Sequence, residues 1–120
     1  MGLLKILVIE DLREIRELFE IFLKKRDLIP ITATNGVEGI DLVKKEKPNL
    51  ILIDIRLPDL NGIEVLRRIR VFEKTVKIFM LSGLYTPEQE KEVLNAGATG
   101  FINKSEGISA IVGMVVQALV

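Results

Sequence analysis

Five short runs rich in Ile, Val and Leu recur along the chain, at Lys5–Ile9, Ile29–Ala33, Leu50–Ile53, Val76–Leu81 and Gly100–Ile102, and segments with helical spacing of apolar residues lie between them. Strands that read as continuous apolar runs are buried on both faces, and strands separated by helical crossovers must be parallel. The predicted class is therefore α/β: a doubly wound five-stranded parallel sheet with five helices covering its two sides. Pro30 falls inside the second run. Proline cannot donate to a ladder, so that strand belongs at a sheet edge, which fits strand order 2-1-3-4-5 and argues against an order with strand 2 internal.

Local signals mark some helix boundaries. The second helix follows Asn35-Gly36 and ends in Lys44, Lys45 and Lys47 before Pro48, placing cations at its C-terminal dipole. Thr86-Pro87-Glu88-Gln89 reads as a capping box opening the fourth helix: Thr86 caps the Gln89 amide, and the Gln89 side chain bonds back. Gly97 closes that helix near Asn95. No repeat, linker or low-complexity tract divides the 120 residues, so residues 1–120 are expected to form one domain.

Composition narrows the chemistry. The 17 Lys and Arg balance the 17 Asp and Glu, leaving no net field to draw the domain to nucleic acid or an anionic membrane. With no cysteine there is neither a disulfide framework nor a thiolate site, and the N-terminus does not read as a signal peptide, so the cytoplasm is the expected location. The uncharged stretch Gly107 to Val120 is too short to span a bilayer, which takes about 20 apolar residues. Histidine is also absent, which removes the commonest general base and transition-metal ligand. Any chemistry runs on carboxylates, hydroxyls, lysine and hard cations.

In an open parallel sheet the functional crevice lies outside the carboxyl ends of the strands. Here strand 1 runs into Glu10-Asp11, strand 3 into Asp54, strand 4 into Ser82-Gly83 and strand 5 into Asn103-Lys104. Each feature has a plainer reading alone: a helix cap for Glu10-Asp11, a cap for the turn announced by Pro58, Asn61 and Gly62 in the case of Asp54, an ordinary loop for Ser82-Gly83, and a solvated charge for Lys104. Their conjunction at one rim points to a site. Three carboxylates at ~4 Å repel pairwise by roughly 4 kcal/mol at an effective dielectric of about 20, so the cluster calls for a cation. Oxygen donors without His or Cys suit Mg²⁺. Asp54 would then be a carboxylate nucleophile, with Lys104 and the Ser82 hydroxyl addressing phosphoryl oxygens.

Assembled in this way, the chain resembles the receiver domain of bacterial two-component response regulators over essentially its full length. The resemblance rests on Ile6-Leu7-Val8-Ile9-Glu10-Asp11, on Leu52-Ile53-Asp54-Ile55-Arg56-Leu57-Pro58 with Asn61-Gly62, on Met80-Leu81-Ser82-Gly83, and on Gly97 through Lys104. It implies a flavodoxin-like fold with Asp54 as phosphoacceptor. It also implies a Mg²⁺ site organised by Glu10, Asp11, Asp54 and the main-chain carbonyl of Arg56, with Ser82 as switch hydroxyl, Lys104 as the family's lysine and Phe101 as switch aromatic. The implied donor is a phosphohistidine on a sensor kinase or phosphotransfer protein, and the implied output is a changed surface on helix 4, strand 5 and helix 5. Arg56 and Leu84 match positions that tune the lifetime of the phosphoryl group. Many receivers carry proline after the lysine, usually with a cis bond; here Ser105 follows Lys104, and a cis bond before serine would cost about 3 kcal/mol.

Other functions fit the residues less well. A haloacid-dehalogenase-type phosphatase resembles Asp-x-Asp after a strand, but Arg56 occupies the place of the second acid. A flavodoxin-like flavin carrier needs a hydroxyl-rich phosphate loop where Glu10-Asp11 would repel phosphate. A partner-binding pseudo-receiver is disfavoured by the intact rim. The last helix stays unexplained by the rim: Ile108, Ile111, Val112, Val115 and Leu119 fill one stripe, yet Met114, Val116, Ala118 and Val120 fall largely outside it. Deep packing, a domain cut from a longer protein, or a self-association surface on helix 5 would each account for it.

Overall fold

The computed structural model describes residues 3–120. Its sheet is built from β1 (Lys5–Ile9), β2 (Ile29–Ala33), β3 (Leu50–Asp54), β4 (Lys77–Ser82) and β5 (Gly100–Asn103). The helices are α1 (Arg13–Lys25), α2 (Gly36–Glu46), α3 (Gly62–Phe72), α4 (Pro87–Asn95) and α5 (Ile108–Leu119), with a 3₁₀ turn at Lys104–Glu106. All strand pairs are parallel and the order is β2-β1-β3-β4-β5, as expected. Among the described residues β2 pairs only with β1, so Pro30 sits on an edge, where its missing N–H costs no ladder bond.

The strands separate two cores by alternation. Leu7, Ile9, Ile51, Ile53, Ile78 and Met80 face α2, α3 and α4, meeting Val43, Leu66, Ile69 and Val93. Ile6, Val8, Leu50 and Leu52 face the other way, toward Phe19 and Leu23 of α1 and Ile111, Val112 and Val115 of α5. Both faces of the central strands are thus buried, which explains why those strands read as unbroken apolar runs. α5 is not buried all round: Met114 is 41% exposed on its outer side.

Three strand ends lie one residue later than expected. β3 includes Asp54, β4 is shifted to end at Ser82, and β5 continues to Asn103. These side chains are carried by ladder residues rather than by the loops beyond them. Asp54 is in register with Leu81, and Ser82 with Asn103.

At the start of α4 the Thr86 hydroxyl accepts the Gln89 amide at 3.1 Å, as expected. The reciprocal half of the capping box is not formed. Gln89 turns its side chain to the end of β4 instead, with Oε1 3.2 Å from Ser82 Oγ. The α4 C-terminus closes as expected, with Gly97 at φ 108°.

Candidate functional site

β1, β3 and β5 bring Glu10, Asp11, Asp54 and Lys104 to one edge of the sheet. Ligand oxygens of Glu10, Asp11 and Asp54 lie within 4.8 Å of one another. Lys104 Nζ reaches two of them, 2.8 Å from Glu10 Oε1 and 2.6 Å from Asp54 Oδ2. Asp11, Asp54, Arg56, Ser82 and Lys104 line one cavity of about 560 Å³, together with Leu12, Gly83 and Leu84. A wider groove of about 690 Å³ lies between α3 and α4, but it holds no buried polar side chain and no part of the acidic cluster.

The three acids differ in environment. Glu10 is fully buried and Asp54 is 5% exposed, whereas Asp11 faces solvent. The Glu10 carboxyl is raised to about 7, chiefly by burial and with a further push from Asp54, against the lowering pull of Lys104 and the Leu12 N–H. Burial works against the Lys104 ammonium, but its bonds to Asp54 and Glu10 win and raise it above the usual lysine value. One ammonium cannot neutralise three carboxylates. The donor set is all oxygen, partly buried and anionic, which fits a hard divalent cation such as Mg²⁺.

The plainer readings of these residues are partly realised as well. Asp54 Oδ1 accepts the Arg56 N–H at 3.0 Å, so the carboxylate does cap its turn while Oδ2 faces Lys104. Glu10 Oε2 accepts the Leu12 N–H at 3.0 Å, although α1 itself has no side-chain cap. Gly62 is required where α3 starts against the site, because a Cβ there would lie 2.2 Å from the Asp54 carbonyl oxygen. Arg56 pairs through its backbone with Asn61 across this turn.

Ser82 is 7% exposed, and its hydroxyl is engaged within the loop that follows. It accepts from the Leu84 N–H at 3.1 Å and has two acceptors for its own proton, Leu84 O at 3.0 Å and Gln89 Oε1 at 3.2 Å. Phe101 is half-buried and stacks on Tyr85 with ring centroids 5.2 Å apart. Among the described residues no peptide is cis. The Ser105 N–H, which proline would lack, donates to Asn103 Oδ1 at 3.0 Å.

Several supporting contacts gave no signal in the sequence. Arg16 Nη1 donates to the carbonyls of Glu10 and Asp11 at 2.9 and 2.7 Å, fixing the acidic turn from α1. Asp59, in the turn after β3, accepts the Gly36 and Val37 N–H groups at the start of α2. The Tyr85 and Gln89 contacts belong to the same class, because they depend on side-chain direction across elements.

A flavodoxin-like sheet with an acidic cluster and a lysine at its carboxyl edge defines a class, and comparison with known proteins identifies the family. Residues 6–116 match the response regulator receiver domain. The chain is 30% identical over 107 residues to sporulation initiation phosphotransferase F of Bacillus subtilis, covering 89% of this chain and 86% of that protein. It is 37% identical over 101 residues to the cell cycle response regulator CtrA of Brucella ovis, covering 84% of this chain but only 44% of CtrA. A CheY-like receiver domain structure from Methanospirillum hungatei superimposes with a TM-score of 0.91 at 28% identity, over 98% of this chain and 94% of that one. The chain belongs to the response regulator receiver domain family, the phosphorylation-linked receivers of two-component signalling.

Proposed function

We propose that residues 1–120 act as a phosphorylation switch in the cytoplasm, with Asp54 accepting a phosphoryl group from a phosphohistidine on a sensor kinase or phosphotransfer protein. The observation that carries this reading is the placement of Asp54: nearly buried, with Oδ2 against Lys104 and in a cavity shared with Ser82. Glu10, Asp11, Asp54 and the Arg56 carbonyl would hold Mg²⁺, which when bound supplies positive charge beside the transferred phosphoryl oxygens. Asp54 Oδ2 attacks phosphorus, the bond from phosphorus to the imidazole nitrogen breaks, and the electron pair stays on that histidine. Lys104 Nζ then shifts from the carboxylate to a phosphoryl oxygen, and the Ser82 hydroxyl donates to another. The chain contains no histidine, so the donor comes from outside it.

The acyl phosphate draws Ser82 toward the cavity, and Phe101 turns into the space that Ser82 leaves. That movement separates Phe101 from Tyr85 and changes the face formed by α4, β5 and α5, for output or for homodimerisation. The exposed Met114 on an uncharged helix supports association through that face. The switch catalyses only its own phosphorylation and dephosphorylation. Incubation with acetyl phosphate and Mg²⁺ followed by intact mass tests the reading: one phosphoryl group is expected on the wild type and none on Asp54→Asn.

A further inference from the structure

We propose that Gln89 is a positioning residue that holds Ser82 in its unphosphorylated orientation and so sets how readily the Asp54 site takes up a phosphoryl group. The inference rests on the reading of Asp54 as phosphoacceptor.

Gln89 is the third residue of α4, and its backbone N–H already meets the Thr86 hydroxyl. Its side chain does not return to the cap, as the sequence pattern would have it, but spans from the helix to the end of β4. Ser82 has a single hydroxyl proton, and two acceptors compete for it: Leu84 O at 3.0 Å and Gln89 Oε1 at 3.2 Å. For Ser82 to donate to a phosphoryl oxygen, that proton must leave both. The two acceptors are not equivalent. Leu84 lies in the same short loop as Ser82, only two residues on, and can move with it. Gln89 belongs to α4, so its contact is the one that ties the switch hydroxyl to a helix.

Removing the Gln89 acceptor therefore lowers the cost of turning Ser82 toward the cavity, by a factor of about two to ten for one neutral hydrogen bond. A carboxylate at the same position accepts more strongly and holds Ser82 back. The coupling runs both ways, because a phosphoryl group that captures Ser82 also frees the first turn of α4 from β4.

The test is a titration of Mg²⁺-loaded protein with beryllofluoride, an acyl-phosphate mimic, on wild type, Gln89→Ala and Gln89→Glu, each with Ser82 intact and as Ser82→Ala. Thermal melting of each variant checks that it is folded. Gln89→Ala is expected to bind about two- to tenfold more tightly than wild type. Gln89→Glu is expected to bind more weakly, and the gain from Gln89→Ala is expected to vanish in Ser82→Ala. The Gln89 side-chain amide resonances should shift on saturation in the wild type and stay in place in Ser82→Ala. Equal affinities of wild type and Gln89→Ala, or a gain that persists without the Ser82 hydroxyl, would overturn the role of Gln89 while leaving Asp54 as acceptor. If no variant binds beryllofluoride, the Asp54 reading falls and this inference falls with it.

Discussion

Lys104 Nζ lies 2.6 Å from Asp54 Oδ2, joining residues fifty positions apart across the end of β4, which separates their strands in the sheet. The same ammonium reaches Glu10 at 2.8 Å, so β1, β3 and β5 are tied together at the point where the acids would otherwise repel. An ammonium placed there stabilises the cluster, and in the proposed switch it would turn to a phosphoryl oxygen once Asp54 is phosphorylated.

Replacing this lysine separates phosphoryl transfer from metal binding. Lys104→Ala removes a competitor for the carboxylates, so Mg²⁺ affinity should hold or rise. Phosphorylation by acetyl phosphate should slow by a factor on the order of 10² to 10³, as for loss of one preorganised charged donor. Parallel Mg²⁺ titration and phosphorylation kinetics check this; a joint loss of both would mean that Lys104 only shapes the metal site.

Gly62→Ala should disturb the site from beneath. The new Cβ would meet the Asp54 carbonyl at 2.2 Å and the Ile55 Cα at 2.7 Å, both backbone atoms that cannot swing aside. The expected cost is about 1–3 kcal/mol in denaturant unfolding, with slower phosphorylation because the end of β3 moves. Unchanged stability would show that the turn relaxes freely.

Asp59 gives a pH signature away from the acidic cluster. Desolvation pushes its carboxyl up, but N–H groups of Gly36, Val37 and Leu60 outweigh this and hold it below 3.8. A carboxylate with a depressed folded pKa contributes stability that is present above the unfolded value and lost as pH falls through the folded one. Wild type should therefore lose more stability than Asp59→Asn on acidification below about pH 4, by no more than about 1 kcal/mol for so exposed a group. Identical acid unfolding curves for the two proteins would contradict the capping role.

Strand positions, order and class were legible in the sequence because they follow from burial on both faces and from Pro30, which are properties of local runs. The rim was legible for the same reason: Glu10, Asp54, Ser82 and Lys104 sit at strand ends, and parallel pairing does the rest. What was not legible depends on where side chains point after folding. Gln89 reads as a cap partner because the cap is local, yet it spans to Ser82 once α4 packs against β5 and its first turn comes within reach of the end of β4. The reach of Asp59 to α2 and of Arg16 to the Glu10 and Asp11 carbonyls likewise exists only after the loops meet.

The outer side of α5 gives a further prediction. Ile111, Val112 and Val115 are buried against the sheet, while Met114 remains exposed and Val116 half-exposed on a helix without charge. Dimerisation that rises with protein concentration is expected in sedimentation experiments, and Met114→Glu or Val116→Glu should abolish it without lowering the melting temperature. A monomer at all concentrations, with and without phosphorylation, would exclude this face as a self-association surface.

The most direct measurement locates the phosphoryl group itself. Protein treated with acetyl phosphate and Mg²⁺ is reduced with borohydride, which converts an aspartyl phosphate to homoserine, and its peptides are sequenced by mass spectrometry. The account predicts homoserine at Asp54 alone, and none in Asp54→Asn. Homoserine at Asp11 or another acid in the wild type, or a hydroxylamine-stable phosphate on Ser82, would contradict it.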